Sequence, residues 1–184
     1  IRKLNDQVCE CMRLYPGRIL GFCYVNPRHR KKALEEFRRS IEDCGMVGLK
    51  LWVATFCNSP LVFPLVEKAI DYGVPVLVHA WLKRTRNLPD ESNPLQVADL
   101  SVRYPESTII MAHVGGDWEF GIKSVRNCPN VFVDTSGTIT HMGMIEKAVR
   151  VLGAERVVFG SDAPADLYMA LAKVTCADIK EEEK

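Results

Sequence analysis

The chain of 184 residues has the composition of an ordinary globular protein, with 47% hydrophobic and 26% charged residues. Its 24 basic and 23 acidic residues leave a formal net charge of +1, which excludes the basic field that would attract nucleic acid or an anionic membrane. Because its apolar runs are also far shorter than the ~20 residues of a membrane span, we expect neither nucleic acid nor a membrane as a partner.

Six short apolar runs predict β-strands. In chain order they are RILGFCYV, VGLKLWV, VPVLVHA, STIIMAHV, NVFVDTS and RVVFGSD. Most of these runs are almost continuously hydrophobic, which is typical of parallel strands that are covered on both faces.

Apolar residues three and four positions apart predict helices between the strands. The stripes are Leu34, Phe37 and Ile41; Leu65, Val66, Ala69 and Ile70; Leu95, Ala98 and Val102; and Ile145, Ala148, Val149 and Leu152. A glycine follows three of the four stripes as a C-cap signal, and Asn93-Pro94 precedes the other as an N-cap with proline at the first helical position. A last helix is predicted from Asp166 to Ala177.

Strands that alternate with helices predict a parallel sheet. Six units in 184 residues, about 31 residues each, suit either a doubly wound open sheet or most of a (β/α)₈ barrel, which needs eight units and ~250 residues. No glycine-rich phosphate loop follows any strand, and this disfavours a nucleotide-binding open sheet. No linker divides the chain, so we expect a single domain over residues 1–184.

The cysteines and the chain ends add two expectations. Seven scattered cysteines without a Cys-x-x-Cys pair predict reduced thiols, no structural disulfide and a cytoplasmic location. The chain starts at Ile1 within a helix-like segment and ends in EEEK, so both ends are predicted to be cuts in a longer chain.

Polar residues lie at or near the ends of five strand-like runs. They are Lys50, His79, His113, Asp134 and Asp162. The carboxyl ends of parallel strands open on one face of an α/β fold, so we expect these side chains to converge there. Two histidines and a carboxylate suit a divalent metal, since imidazole and carboxylate are common ligands.

Each of these residues alone also has a structural interpretation. A lone histidine beside apolar residues is more often a core or capping residue than a ligand. Asp162 before Ala-Pro fits a helix cap equally well, and Asp134 before TSG favours a turn or capping role. Lys50 fits a side chain that extends to solvent. His141, in TITHMG, is assigned to a loop or an early helix without a chemical role.

Several stretches together resemble the amidohydrolase-related family of metal-dependent hydrolases. They are GLKLW, VPVLVHAW, PLQVADLSVRYPESTIIMAHVGGDW, NVFVDTSG and AERVVFGSDAP, and they cover nearly the whole chain. The resemblance implies a distorted TIM barrel, in which these six strands correspond to the third through eighth.

The resemblance also implies roles for single residues. His79 matches the metal-binding histidine of the fifth barrel strand. His113 matches the sixth-strand histidine, which binds a second metal or activates water or substrate. Asp162 matches the eighth-strand aspartate, which binds metal and acts as the base for the attacking water. Trp81 and Trp118 are expected to wall the substrate pocket, with packing as the alternative for both.

Lys50 and the histidine count mark where the resemblance is less close. Lys50 lies on the strand that carries a carboxylated lysine in two-metal members, and it is expected to line the substrate site. The family takes two more ligands from a His-x-His pair on its first strand. This chain has four histidines, at positions 29, 79, 113 and 141, and none is so paired. We therefore expect the first two strand–helix units to be absent, and the GSDAPADLY junction is short for the loop after the eighth strand.

The sequence thus predicts a metal-dependent hydrolase of a small carbonyl-containing substrate, an amide, ester or lactone, that acts through a metal-activated water. The metal is expected to be zinc, with manganese as the alternative. A metal-dependent decarboxylase of an aromatic or unsaturated acid is the second reading. The third is a truncated barrel without catalytic function. A small-molecule substrate is the expected partner, and a homo-oligomer stays an open alternative.

Overall fold

The computed structural model describes residues 1–162 and 167–184, and in this part of the chain six strands alternate with seven helices. The strands are β1 (Phe22–Tyr24), β2 (Gly48–Leu51), β3 (Val76–Val78), β4 (Ile109–Met111), β5 (Val131–Asp134) and β6 (Val157–Val158). The helices are α1 (Arg2–Leu14), α2 (Lys31–Glu42), α3 (Phe63–Tyr72), α4 (Pro94–Arg103), α5 (Trp118–Val125), α6 (Met144–Leu152) and α7 (Leu167–Thr175).

The six strands form one parallel sheet in sequence order, as predicted. Each strand pairs with the next one along the chain, and the pairing sets Leu49 against Val76, Val76 against Ile109, and Ile109 against Val131. Because every strand points the same way, all carboxyl ends meet at one edge of the sheet. In the described residues the sheet is open, with β1 and β6 as its outer strands.

The two faces of the sheet differ in burial. Side chains on the helix-covered face are 0% exposed at Cys23, Leu49, Val76, Ile109 and Val131. The opposite face carries a row of half-buried side chains in register: Tyr24, Lys50, Leu77, Ile110 and Phe132. The helices therefore build the hydrophobic core on one side, and the other side is the one on which a site can form.

Local sequence signals fix the helix ends. Asn93 caps α4 with its side chain, and Gln96 bonds back to the Asn93 backbone in a capping box. Gly73 ends α3 in the left-handed region, at φ 64°. The predicted last helix corresponds to α7, although its predicted start at Asp166 lies outside the described residues, as do residues 163–165 in the middle of the GSDAPADLY junction.

Three further expectations concern the whole chain. All seven cysteines are free thiols in the structure. None of the helices within residues 1–162 and 167–184 combines the length and the apolar character needed to cross a membrane. The assignment of residues 1–184 to one domain stays a prediction.

Two leucines on α4 test the packing of the helix-covered face. Leu100 is fully buried in the core, whereas Leu95 on the same helix is 54% exposed. We expect Leu100→Ala to lower the free energy of unfolding by about 2–5 kcal/mol, because removal of the buried methyl groups leaves a cavity. Leu95→Ala should change it by less than about 0.5 kcal/mol. Urea denaturation of both variants measures this, and equal losses would contradict the described packing.

Candidate active site

The strand-end residues lie at the carboxyl edge of the sheet. His79 directly follows β3, and His113 lies in the turn directly after β4. Asp134 is the last residue of β5, and Asp162 follows β6. Lys50 lies within β2, on the half-buried face that carries Leu77.

His79 and His113 are in direct contact. Their ring centroids are 4.9 Å apart at an interplanar angle of 72°. His79 Nδ1 and His113 Nε2 are 3.1 Å apart. The two imidazoles that the sequence singled out, 34 positions apart, thus form one polar pair.

A carboxylate stands at each outer end of this pair. Glu91 Oε1 lies 2.9 Å from His79 Nε2, and Ser136 Oγ lies 2.9 Å from His113 Nδ1. Ser136 in turn donates its hydroxyl proton to Asp134 Oδ1. The five side chains form one continuous polar chain across the strand ends.

The carboxylates decide where the imidazole protons lie. Ser136 uses its only proton on Asp134, so its oxygen accepts from His113 Nδ1. The Glu91 carboxylate can only accept, so it takes a hydrogen bond from His79 Nε2. A neutral imidazole carries one N–H, and both N–H groups therefore point outward. The lone pairs of His79 Nδ1 and His113 Nε2 face each other across 3.1 Å.

Burial keeps both imidazoles neutral. Desolvation lowers the pKa of His113 to about 4, although the Asp134 charge opposes this change. Desolvation likewise lowers the pKa of His79, against the hydrogen bond that it donates to Glu91, which favours the charged form. At neutral pH both rings are therefore bases with a free lone pair.

Lys50 and Asp162 complete the polar cluster. Burial lowers the pKa of Lys50, and the charges of Asp134 and Asp162 oppose that shift. Asp162 also interacts electrostatically with His113. Its backbone is in the left-handed region at φ 71°, and its side chain is exposed. The structure thus brings all five strand-end residues together and leaves Asp162 open to solvent.

The turn that carries His113 has an unusual backbone. His113 and Val114 adopt φ values of 62° and 47°, which are strained for a histidine and more so for a β-branched residue. Two glycines with positive φ, Gly115 and Gly116, follow. The Asp134 carboxylate holds the His113 backbone by accepting its N–H at 2.8 Å. The same oxygen of Asp134 accepts the Ser136 N–H at 2.9 Å, and this is the turn role expected for Asp134 before TSG.

A cleft of about 400 Å³ is lined on one side by Trp81, whose ring contacts His113; His79 and His113 themselves do not line it. It lies between the loops that follow β3, β4 and β5, and its lining includes Trp81, Lys83, Arg84, Trp118, Ile139 and His141. The Trp81 ring lies over the His113 ring at a centroid distance of 4.7 Å. The volume falls in the range of about 300–1,000 Å³ that small-molecule sites occupy.

Three residues of this site were not predicted. Glu91 and Ser136 are buried polar residues in loops, and neither has a hydrophobic pattern around it that marks a site. His141, assigned to a loop without a role, accepts a hydrogen bond from Trp118 Nε1 at 2.9 Å and lines the cleft. The signal in the sequence for a role of His141 was its position after the glycine-containing loop that follows β5.

Comparison with known proteins identifies the family. A family model of amidohydrolases matches residues 1–172. The chain belongs to the amidohydrolase family. The similarity that the sequence motifs indicated is thereby confirmed over almost the whole chain.

A relative and two solved structures are similar to the chain. It is 20% identical to 2-amino-3-carboxymuconate-6-semialdehyde decarboxylase of Dictyostelium discoideum over 97% of its own length and 60% of that relative. An uncharacterised TIM-barrel protein of Bordetella bronchiseptica superimposes with a TM-score of 0.82, at 20% identity over 97% of this chain and 66% of that one. 5-Carboxyvanillate decarboxylase of Novosphingobium aromaticivorans, solved with manganese and 4-hydroxy-3-methoxy-5-nitrobenzoic acid, gives 0.77 at 16% identity, over 98% of this chain and 65% of that one.

These similarities show the fold. The six parallel strand–helix units belong to the (β/α)₈ TIM-barrel type, as predicted, and form part of such a barrel. The chain spans 60% of the length of the decarboxylase that it matches in sequence.

The donor set fits a divalent metal only in part. Two nitrogen ligands at about 2.0–2.1 Å from one zinc ion, at angles of roughly 90–110°, lie about 2.9–3.4 Å apart. The facing nitrogens of His79 and His113, 3.1 Å apart, meet that requirement. Within residues 1–162 and 167–184, however, no three His, Cys, Asp or Glu side chains converge as a metal site. The described residues therefore supply two suitable donors and an incomplete set.

Gly121 tests the strained turn. A Cβ on this helical glycine would lie 2.0 Å from the Val114 carbonyl oxygen. Glycine to alanine normally stabilises a helix interior by about 1 kcal/mol. Here we expect Gly121→Ala to reverse that sign and lower the thermal midpoint, because backbone must move. A thermal melt followed by circular dichroism measures this, and a raised midpoint would show that the turn is not packed as described.

His113 makes stability depend on pH. Its folded pKa of about 4 lies below the ordinary value near 6.5, so its stabilising contribution is present above pH 6.5 and is lost as the pH falls towards 4. Between pH 7 and 5 we expect His113→Gln to remove on the order of 1–2 kcal/mol of the loss that the unaltered protein shows. The measurement is urea denaturation at both pH values in the presence of a chelator. His29→Gln, at an exposed histidine, is the control and should keep the full loss; the same loss in both variants would contradict the burial of His113.

Proposed function

We propose that the protein carrying this chain is a metal-dependent decarboxylase of small aromatic or unsaturated carboxylic acids. The observation that carries the proposal is the pair of facing imidazole lone pairs beside a cleft walled by tryptophans. One relative by sequence and one structural neighbour are decarboxylases by name, and the second was solved with manganese and an aromatic acid. The predicted hydrolase activity is not confirmed, and we place it second.

The cleft suits a flat anionic substrate. Trp81 and Trp118 offer aromatic faces on which a ring can stack. Arg84 at the cleft wall can pair with a carboxylate group, whereas Lys83 is already paired with Glu91. Asp117 and Glu119 also line the cleft. Trp81 also packs over His113, so a ring bound against it lies next to the histidine pair.

We propose that His79, His113 and Asp162 contribute to the metal site, and that further ligands come from outside the described residues. His79 offers Nδ1 and His113 offers Nε2. A bound divalent ion supplies positive charge that binds and orients an anionic substrate. Zinc and manganese both accept imidazole and carboxylate ligands, so the choice between them stays open.

Decarboxylation replaces a carbon–carboxylate bond by a carbon–hydrogen bond and releases CO₂. One proton must therefore reach the ring carbon. Asp162 is exposed and interacts electrostatically with His113, so it can take a proton from water and pass it to the carbon. His113 has its only N–H bonded to Ser136, so its part is to offer Nε2 to the metal, while Lys50, which interacts electrostatically with His113, adds positive charge near the pair.

For the 184-residue chain in isolation we favour the hypothesis of a truncated barrel without catalytic function. Within its described residues no three His, Cys, Asp or Glu side chains come together around one point, whereas a catalytic metal site needs three protein ligands. The sheet also leaves β1 and β6 with unpaired edges in the described residues, which promotes self-association. We therefore propose that the chain alone does not turn over substrate and that a longer protein containing it does. A cytoplasmic location and a homo-oligomer stay predictions.

An assay on both proteins tests this proposal. Each is incubated with zinc or manganese and scored for CO₂ release from hydroxybenzoic acids and for hydrolysis of simple esters and lactones. We expect metal-dependent CO₂ release from the longer protein and none from the chain. Asp162→Asn and His113→Asn should each lower kcat by about 100-fold or more, because the first removes the proton donor and the second removes a metal-binding nitrogen.

His29→Gln is the matched control, since His29 is exposed and lies outside the cleft. It should leave the rate unchanged. Metal-dependent ester hydrolysis without CO₂ release would replace the decarboxylase proposal by the hydrolase. Unchanged CO₂ release by Asp162→Asn would remove Asp162 from the mechanism.

A further inference from the structure

Glu91 is an ionisable residue in a place where ionisable residues are rare. It lies in the loop that joins β3 to α4, twelve positions after His79, and is only 2% exposed. A buried carboxylate is costly unless it is fully paired, so its presence needs a physical reason. Neither the sequence motifs nor the similarity to known proteins gives it a role.

The Glu91 carboxylate is paired on every side. Oε1 accepts from His79 Nε2 at 2.9 Å and from Lys83 Nζ at 2.8 Å. Oε2 accepts from Lys83 Nζ at 2.9 Å and from the Leu88 N–H at 2.8 Å. The Lys83 ammonium contacts both oxygens of Glu91, and this charge pair suits the ionised carboxylate.

The geometry points to Glu91 as a positioning residue that fixes His79 in its Nε2–H tautomer and thereby turns the Nδ1 lone pair towards His113. A carboxylate only accepts hydrogen bonds, so His79 must donate from Nε2. Carboxylates that hold the far nitrogen of a ligand histidine orient the ring and raise its basicity. The tautomer of His79 does not depend on the proposed function. Only the use of its Nδ1 lone pair as a metal ligand rests on that proposal.

Glu91 also connects the histidine to the cleft. Lys83, its second partner, lines the cleft and lies 5.8 Å from the centre of the Trp81 ring. The loop around it is closed by backbone bonds, including Trp81 N–H to the Ser92 carbonyl at 2.8 Å. One carboxylate therefore sets the orientation of His79 and holds the cleft wall beside it. A ring bound in the cleft meets a histidine whose orientation is already fixed.

Nitrogen NMR of the metal-free protein tests the assignment. Histidine is labelled with ¹⁵N, and a two-bond ¹H–¹⁵N correlation spectrum distinguishes the Nε2–H from the Nδ1–H tautomer. The chain contributes four histidines, and a His79→Gln spectrum assigns the signals of His79. We expect His79 in the Nε2–H tautomer in the unaltered protein and a loss of that preference in Glu91→Gln, whose amide can donate as well as accept.

Two matched variants separate positioning from general stability. Glu36→Gln removes another largely buried carboxylate, which is bonded to Arg39 on α2 and lies away from His79. Lys83→Met removes the cation but leaves the acceptor for His79. Both should keep the Nε2–H tautomer of His79. In the longer protein, Glu91→Gln should weaken manganese binding by about 10–100-fold, whereas Glu36→Gln should not.

The outcomes are separable. An Nδ1–H tautomer of His79 in the unaltered protein, or an unchanged tautomer in Glu91→Gln, would overturn the assignment. The first of these needs no Glu91 variant, so it decides the question even if Glu91→Gln does not fold. A protein that shows the expected spectrum but releases no CO₂ would refute the proposed function and leave the role of Glu91 standing.

Discussion

The contact between the imidazoles of His79 and His113 is the interaction on which the candidate site depends. It joins the ends of two adjacent parallel strands, and it exists because β3 and β4 are in register with Val78 opposite Met111. One residue separates Met111 from His113, whereas His79 follows Val78 directly. The strained turn at His113 compensates for that extra residue and brings its ring back to His79. The strained backbone at His113 thus places its Nε2 beside His79 Nδ1.

The polar residues on the two sides of the pair draw its two protons in opposite directions, away from the contact between the rings. Asp134, through Ser136, and Glu91 each draw an imidazole N–H outward. The interior contact is left with two acceptors and no donor. A protein that needed only a stable core would gain nothing from this arrangement, because facing acceptors repel. The arrangement therefore has the character of a site for a positively charged group, whereas a purely structural hydrogen-bond network would not leave two acceptors facing each other.

The sequence predicts the strand ends well and the loops poorly, and the reason is physical. His79, His113 and Asp134 follow apolar runs whose period and length define a parallel strand, so topology alone brings them to one edge. Glu91 and Ser136 lie in loops, where no period operates. Their positions depend on how the loop after β3 closes and on the turn that Asp134 holds, and these are tertiary contacts. Pattern analysis along one chain does not contain that information.

The extent to which other elements cover each strand end explains why Asp162 differs from the other strand-end residues. His113 and Asp134 are buried because helices and neighbouring loops cover their strands, whereas Asp162 follows β6, an outer strand of only two residues in the described part of the chain. Val158 on that strand is 38% exposed, although it pairs with Asp134. An exposed carboxylate in high dielectric is a weak metal ligand and a poor general base, because water screens its charge. Asp162 gains strength in either role only when its surroundings are dry, so its contribution depends on further protein covering the open side of β6.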